Sequence, residues 1–168
     1  MAAANLISLT CGFEPGAIGR VAEMHGLYYC RKWGFGLQFE GEVAAGLAKF
    51  RDVYDPANDG LWLAHQNGRV IASATLDHSM ADEQGSLRMR WVIADDTAQG
   101  SGVGRVLMDA MMRFADERRL PVYLWTFEGL IAARRLYQRA GFVLTHEREH
   151  TAWGPTVTIQ RMERPATG

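Results

Sequence analysis

The residues best suited to chemistry in this chain are Gln99-Gly100-Ser101-Gly102-Val103-Gly104, which follow an apolar run and open an amphipathic stretch. Glycines let a backbone approach a ligand with no Cβ in the way. The first turn of a helix presents N–H groups that lack intrahelical partners, and the helix dipole adds positive potential there. A phosphate or pyrophosphate suits such a loop, and a glycine-rich helix start with no ligand is the plainer alternative. A Walker A loop ends in Gly-Lys-Ser/Thr, whereas Gly104 is followed by Arg105-Val106. A dinucleotide fingerprint needs G-x-G-x-x-G after the first strand of the domain, and these glycines run G-x-G-x-G after more than half the chain.

A second motif stands about thirty residues on, at Ala132-Ala133-Arg134-Arg135-Leu136-Tyr137-Gln138-Arg139-Ala140-Gly141-Phe142. Leu130, Ala133, Leu136, Tyr137 and Ala140 recur at helical spacing. Gly141 stands where a left-handed residue ends a helix, and Phe142 can fold back on the last turn. Val122–Phe127 before it is rich in β-branched and aromatic residues, as a buried strand is.

Gln99, Gly102 and Gly104 match the pattern Arg/Gln-x-x-Gly-x-Gly/Ala, and the second segment matches A-x-x-L-Y-x-x-x-G-F. On these two motifs the chain resembles the GNAT superfamily of acyl-CoA-dependent N-acyltransferases. The resemblance is specific over residues 88–142. The aromatic helix–loop–helix and Trp153-Gly154 further resemble GNAT domains fused to MarR-type DNA-binding domains, and the 168 residues contain no such domain.

The resemblance implies acetyl transfer from acetyl-CoA, as co-substrate, to a primary amine by direct attack, with no metal. Val92, Ile93 and Ala94 would pair with the pantetheine arm, and an N–H near Val92 or Ile93 would hold the thioester oxygen. Gln99, Gly100, Ser101, Gly102, Val103, Gly104 and Arg105 would hold the pyrophosphate. Leu130, Ala133 and Arg134 would complete the cofactor wall. Gln99 stands where Arg is commoner and Leu130 where many relatives have Asn, with Arg134 available to compensate. Tyr137 is the expected general acid and Glu40 the first choice for the base. Tyr28, Trp33 and Arg90 are expected at the acceptor site, Arg90 and Arg88 as readers of an acid group. Each also has a structural reading: a tyrosine at a helix–sheet seam, a dipole-favoured acid, aromatic core, a salt-bridged arginine. A non-catalytic acyl-CoA sensor is the rival function.

Net charge is −1 and apolar residues make up 48%. With a pI near 6.5, this argues against a nucleic-acid footprint or a polybasic membrane patch. Cys11 and Cys30 suggest neither a disulfide framework nor a metal site, and a reducing cytoplasm is the default. The opening Met1-Ala2-Ala3-Ala4 lacks a basic leader, and Pro165–Gly168 reads as a frayed tail. The partner expected is an amine acceptor, small molecule or peptide, with a homodimer left open.

The elements that must position these residues fill one domain over residues 1–168. A strand near Leu6–Thr10 is followed by a helix striped by Ile18, Val21, Ala22, His25 and Tyr29. A second helix runs over Gln38–Asp52, after the aromatic loop Trp33–Leu37. Leu61–His65 and Val70–Leu76 read as a hairpin about Asn67-Gly68. Leu87–Ala94 leads to the glycine loop, and Val103, Val106, Leu107, Ala110, Met111 and Phe114 stripe the helix after it. Val143–Thr151 and Thr156–Met162 close the chain as strands. Together these predict an α+β domain with about four helices around a mixed central sheet, whose middle strands splay if the resemblance holds.

Overall fold

The computed structural model describes residues 6–168. Met1–Asn5, which hold the segment read as lacking a leader, lie outside the described residues. The chain runs β1 (Ser8–Cys11), α1 (Ala17–Trp33), α2 (Leu37–Val53), β2 (Gly60–Gln66), β3 (Arg69–Asp77), β4 (Leu87–Ala94), α3 (Val103–Glu117), β5 (Val122–Phe127), α4 (Ile131–Arg139), β6 (Val143–His150) and β7 (Val157–Arg164). The seven strands lie in the order β1-β2-β3-β4-β5-β7-β6. Among the described residues only β4 and β5 pair in parallel, the crossover between them being made by α3; β2–β3, β3–β4 and β6–β7 are antiparallel pairs joined by short connections. Asn67 and Gly68 both have positive φ, 52° and 72°, as the β2–β3 hairpin turn requires.

Each sheet face carries its own core. On one, Leu87, Met89, Leu124 and Met162 pack against Leu107, Met108 and Met111 of α3 and Tyr137 of α4. On the other, Leu61, Leu63, Trp91 and Ile93 pack against Val21, Val43, Leu47 and Phe50 of α1 and α2. A third, aromatic cluster of Phe35, Phe127 and Ile159 with Trp33, Phe39, Trp125 and Trp153 closes the far end of the second face.

Two helix ends bear on the site. Gly141 has φ 93°, and the N–H of Phe142 returns to Tyr137 O at 3.0 Å, a Schellman-type end that fixes Tyr137 against the sheet. The stripe expected on α3 differs: Val106 is exposed, and Met108, Met112 and Ala115 join the buried face. The tail is not without contacts, since Thr167 Oγ1 donates to Asp116 Oδ1 at 3.0 Å.

Candidate active site

β4 and β5 pair only over Leu87↔Val122, Arg88↔Tyr123 and Met89↔Leu124. Beyond Met89 the strands part, and Arg90–Ala94 present a free backbone edge towards β5. The departure coincides with a bulge. Thr75 pairs with Arg90 and Ser73 with Ile93, so β4 spends an extra residue against β3, and Trp91 takes φ 48°. Across this bulge the alternation of side chains flips, which leaves Arg90 and Trp91 on the same face with the guanidinium 3.9 Å from the indole centroid.

Two peptide groups in the gap can be oriented from their partners. Ser73 Oγ donates to Trp91 O at 2.8 Å. In a trans peptide, C=O and N–H point in opposite directions, so the N–H of Val92 points away from β3 into the gap. The N–H of Asp95 donates to Ile71 O at 2.7 Å, so the C=O of Ala94 likewise faces the gap. The splayed edge therefore offers one donor and one acceptor a few residues apart.

The glycine loop lies at the end of that edge. Asp95 caps the short 3₁₀ turn Asp96–Ala98 through the Thr97 N–H and pairs with Arg20 of α1. These bonds, above all those from Thr97, hold its carboxyl down to about 2. Gly100 and Gly102 take φ 79° and 85°. Among the described residues, the N–H groups of Gly100, Gly102 and Gly104 find no acceptor within the chain, while Ser101 Oγ takes that of Val103 at 3.3 Å. A Cβ on Gly104 would touch Leu136 of α4 at 3.4 Å, so the two motif helices meet there.

A cleft of about 910 Å³ joins the loop, the splayed edge and α4 to the space under α1 and α2. Of the residues expected at the cofactor, Val92, Ile93, Ala94, Gln99, Gly100, Gly102, Val103, Gly104, Leu130 and Ala133 line it. Ser101, Arg105 and Arg134 do not: the Ser101 hydroxyl turns back to Ala98 O, Arg105 is exposed on α3, and Arg134 reaches Gln160 Oε1 at 3.4 Å. The Gln99 amide donates to Asp96 Oδ1 at 3.0 Å.

Tyr137 lines the cleft and is 7% exposed. Burial alone pushes its hydroxyl up to about 12. Tyr29 of α1 also lines the cleft, and burial together with the nearby Tyr137 and Tyr28 raises its hydroxyl too. Tyr28 and Trp33 both line the cleft. Burial and the Asp96 carboxylate raise Tyr28, which places it towards the glycine loop, whereas Trp33 packs on Phe127 at 4.8 Å. Arg90 lines the cleft with its guanidinium bonded to Asp77 Oδ2 at 2.9 Å.

Glu40 stands elsewhere. It is exposed and its side chain lies over Gly26 of α1, whereas the acid lining the cleft from α2 is Glu42. Two residues on a helix differ by about 200°, so these carboxylates leave opposite sides of α2. Glu42 accepts from Trp153 Nε1 at 2.9 Å and from Gln38 Nε2 at 3.0 Å. Sequence reasoning also passed over Arg148, His150 and Trp125, which line the far wall. For Arg148 and His150 the sequence carried no distinguishing signal, because β6 is polar on both faces from Thr145 to His150, and which face meets the cleft depends on where β6 docks. Among the described residues, no group of three or more His, Cys, Asp or Glu side chains is placed to hold a metal, and no helix is long and apolar enough to cross a membrane.

A family model described as the acetyltransferase (GNAT) family matches residues 21–142, most of the chain. The chain belongs to the GNAT acetyltransferase family. Solved structures agree in fold. An acetyltransferase of the GNAT family from Staphylococcus aureus Mu50 superposes with TM-score 0.75 at 14% identity, covering 96% of this chain and 100% of its own. The yncA protein of Salmonella typhimurium, solved with its cofactor acetyl-CoA, gives 0.73 at 14%, with 96% and 95% covered. The ribosomal-protein-S18-alanine N-acetyltransferase of Escherichia coli gives 0.69 at 16%, with 97% and 96% covered. Comparison with curated protein sequences gives no match. Family and fold together are those of acyl transfer and of acyl-CoA binding in general.

Proposed function

We propose that this GNAT protein transfers an acetyl group from acetyl-CoA to a primary amine by direct attack. The observation that carries the proposal is the gap between β4 and β5, into which the Val92 N–H and the Ala94 C=O point beside three unbonded glycine-loop N–H groups. That set fits a pantetheine arm, which needs both a donor and an acceptor, joined to a pyrophosphate. A thioester so held supplies the activated acetyl group. In this reading the Val92 N–H holds its oxygen as negative charge develops, an oxyanion contact worth about 3–4 kcal/mol in other acyl transfers. The neutral amine nitrogen forms the C–N bond, the C–S bond breaks with sulfur taking the electron pair, and the proton released from nitrogen balances the one that the thiolate takes up, giving the amide and the free thiol of CoA.

Tyr137 is the group we assign to the departing sulfur. Its hydroxyl at about 12 is a weaker acid than a thiol near 8.5, so complete proton transfer would cost roughly 5 kcal/mol. A hydrogen bond that strengthens as the C–S bond opens is the role its acidity allows. Glu42, on the acceptor wall, is the acid we assign to the incoming ammonium in place of Glu40. Titration calorimetry with acetyl-CoA, followed by thiol release over an amine panel, tests the proposal. Binding with turnover supports it; binding with no turnover on any amine makes the chain an acyl-CoA sensor; no binding removes both.

A further inference from the structure

Among the described residues, three arginines and a single carboxylic acid, Glu42, line the cleft. Their states differ. Arg90 is bonded to Asp77. Arg148 lies at the exposed rim, its guanidinium 5.5 Å from the Trp125 ring. Arg88 is more deeply placed, and its Nε–H is buried with no acceptor among the described residues. The nearby acids are already engaged. Asp77, its register partner on β3, accepts from Ser79 on one oxygen and from Arg90 on the other. Asp82 and Glu163 are both bonded by Arg161. Burial lowers the pKa of the Arg88 guanidinium, and the like charges of Arg90 and Arg161 act in the same direction, against the pull of Tyr123 and Asp77.

Arg88 also lies on the side of the sheet away from the glycine loop. Its neighbours Leu87 and Met89 pack into the α3 and α4 core, so by strand alternation Arg88 projects under α1 and α2. It pairs with Tyr123 in the last stretch before β4 and β5 part, one residue short of the apex of the gap. A phosphate held at the α3 N-terminus is on the opposite face. A buried guanidinium N–H lacking an acceptor costs free energy unless an anion supplies one.

We propose that Arg88 docks an anionic group on the acceptor, so that the substrate of this enzyme is an amine that also carries an acid group, such as a carboxylate or phosphonate. This rests on the acetyl-transfer reading. Charge in the cleft supports it, since an acceptor with only an ammonium would meet three arginines and one acid already bonded to Trp153 and Gln38. The acid group on Arg88 would then set the distance from the amine to the thioester held beyond the apex.

The test compares matched amines in thiol release with acetyl-CoA: glycine, methionine, phenylalanine and tryptophan, their aminomethylphosphonate-type analogues, and their neutral carboxamides. The expected result is a kcat/KM for one acid-bearing series about 10- to 100-fold above its carboxamides. Arg88→Met should bring that ratio near one, and Arg88→Lys should restore part of it. The acetyl-CoA dissociation constant, measured by calorimetry, should stay put in both variants. Thermal protection of CoA-loaded protein by the preferred acid should likewise vanish in Arg88→Met. A panel in which no acid outruns its carboxamide, or an Arg88→Met that lowers both series equally, overturns the proposal. Loss of acetyl-CoA binding by the unaltered protein would instead strike the acetyl-transfer reading beneath it.

Discussion

Ser73 Oγ on β3 holds Trp91 O on β4 at 2.8 Å, and through the rigid peptide plane that one bond aims the Val92 N–H into the gap. Ser73 is fully buried, so its hydroxyl has no water to turn to. Ser73→Ala should lower stability by about 1 kcal/mol, the usual worth of a buried hydrogen bond. The larger effect should be on kcat, since Trp91 would no longer be held at φ 48° by a side-chain donor. Urea melts and steady-state kinetics separate the two; an unchanged kcat would mean that the bulge holds its shape without Ser73.

Gly102 takes φ 85° at the start of α3, with nothing within 4 Å of where a Cβ would stand. The harm of a side chain there comes from backbone strain and from intrusion on the loop's anion site, not from a clash within the chain. Gly102→Val should cost about 1–2 kcal/mol for a left-handed β-branched residue and abolish the melting shift produced by acetyl-CoA. Retention of the full shift would place the pyrophosphate elsewhere.

Tyr137→Phe removes one hydroxyl from a side chain that also packs with Phe142 at 6.1 Å. The ring keeps that contact, so stability should change little. If the hydroxyl serves the leaving sulfur, kcat should fall about 100-fold with acetyl-CoA affinity unchanged. Because burial pushes this hydroxyl up to about 12, the kcat profile of the unaltered enzyme should show no decline due to Tyr137 below about pH 11.

Glu42 and Glu40 allow a contrast within one helix. Glu42→Gln should raise KM for the amine several-fold, since it removes the acid that lines the cleft. Glu40→Gln, altering a side chain laid over Gly26, should have the smaller effect. Initial rates at saturating acetyl-CoA decide the order, and the reverse order would return the acceptor's ammonium to Glu40.

His25 gives the protein a pH dependence of known sign. Burial brings it down to about 4, against a bond to Val21 O that favours the charged form. In the unfolded chain its value is about 6.5. Between these values the unfolded state holds the extra proton, so stability is full above about pH 6.5 and declines as pH falls towards 4. The slope should approach about 1.4 kcal/mol per pH unit. Chemical denaturation at a series of pH values should show this slope, and His25→Gln should flatten it. Equal slopes in the two proteins would mean that His25 titrates normally in the fold.

The glycine loop, the Leu136-Tyr137 helix with its Gly141 end, and the order of strands and helices were all legible in the amino-acid sequence. Each is a local property: positive φ favours glycine, helical periodicity marks a buried face, and Asn-Gly sets a tight turn. That Tyr137 and the glycine loop share one site was implied by the family resemblance and not by these local rules; in the structure both line the cleft. Tertiary structure alone decided the rest of the site. Whether Arg88 or Arg90 was paired depended on Asp77, whose strand had to dock beside β4 before either could reach it. The bulge at Trp91 depended on a count of residues between two strands, which neither strand carries alone. Arg148 and His150 reached the cleft only because β6 lies outside β7, two strands from the gap. Glu42 rather than Glu40 faced the cleft because the rotation of α2 about its axis is fixed by what Val43, Leu47 and Phe50 bury against. Side-chain direction in a packed core is set by the partner surface, and no single segment contains its partner.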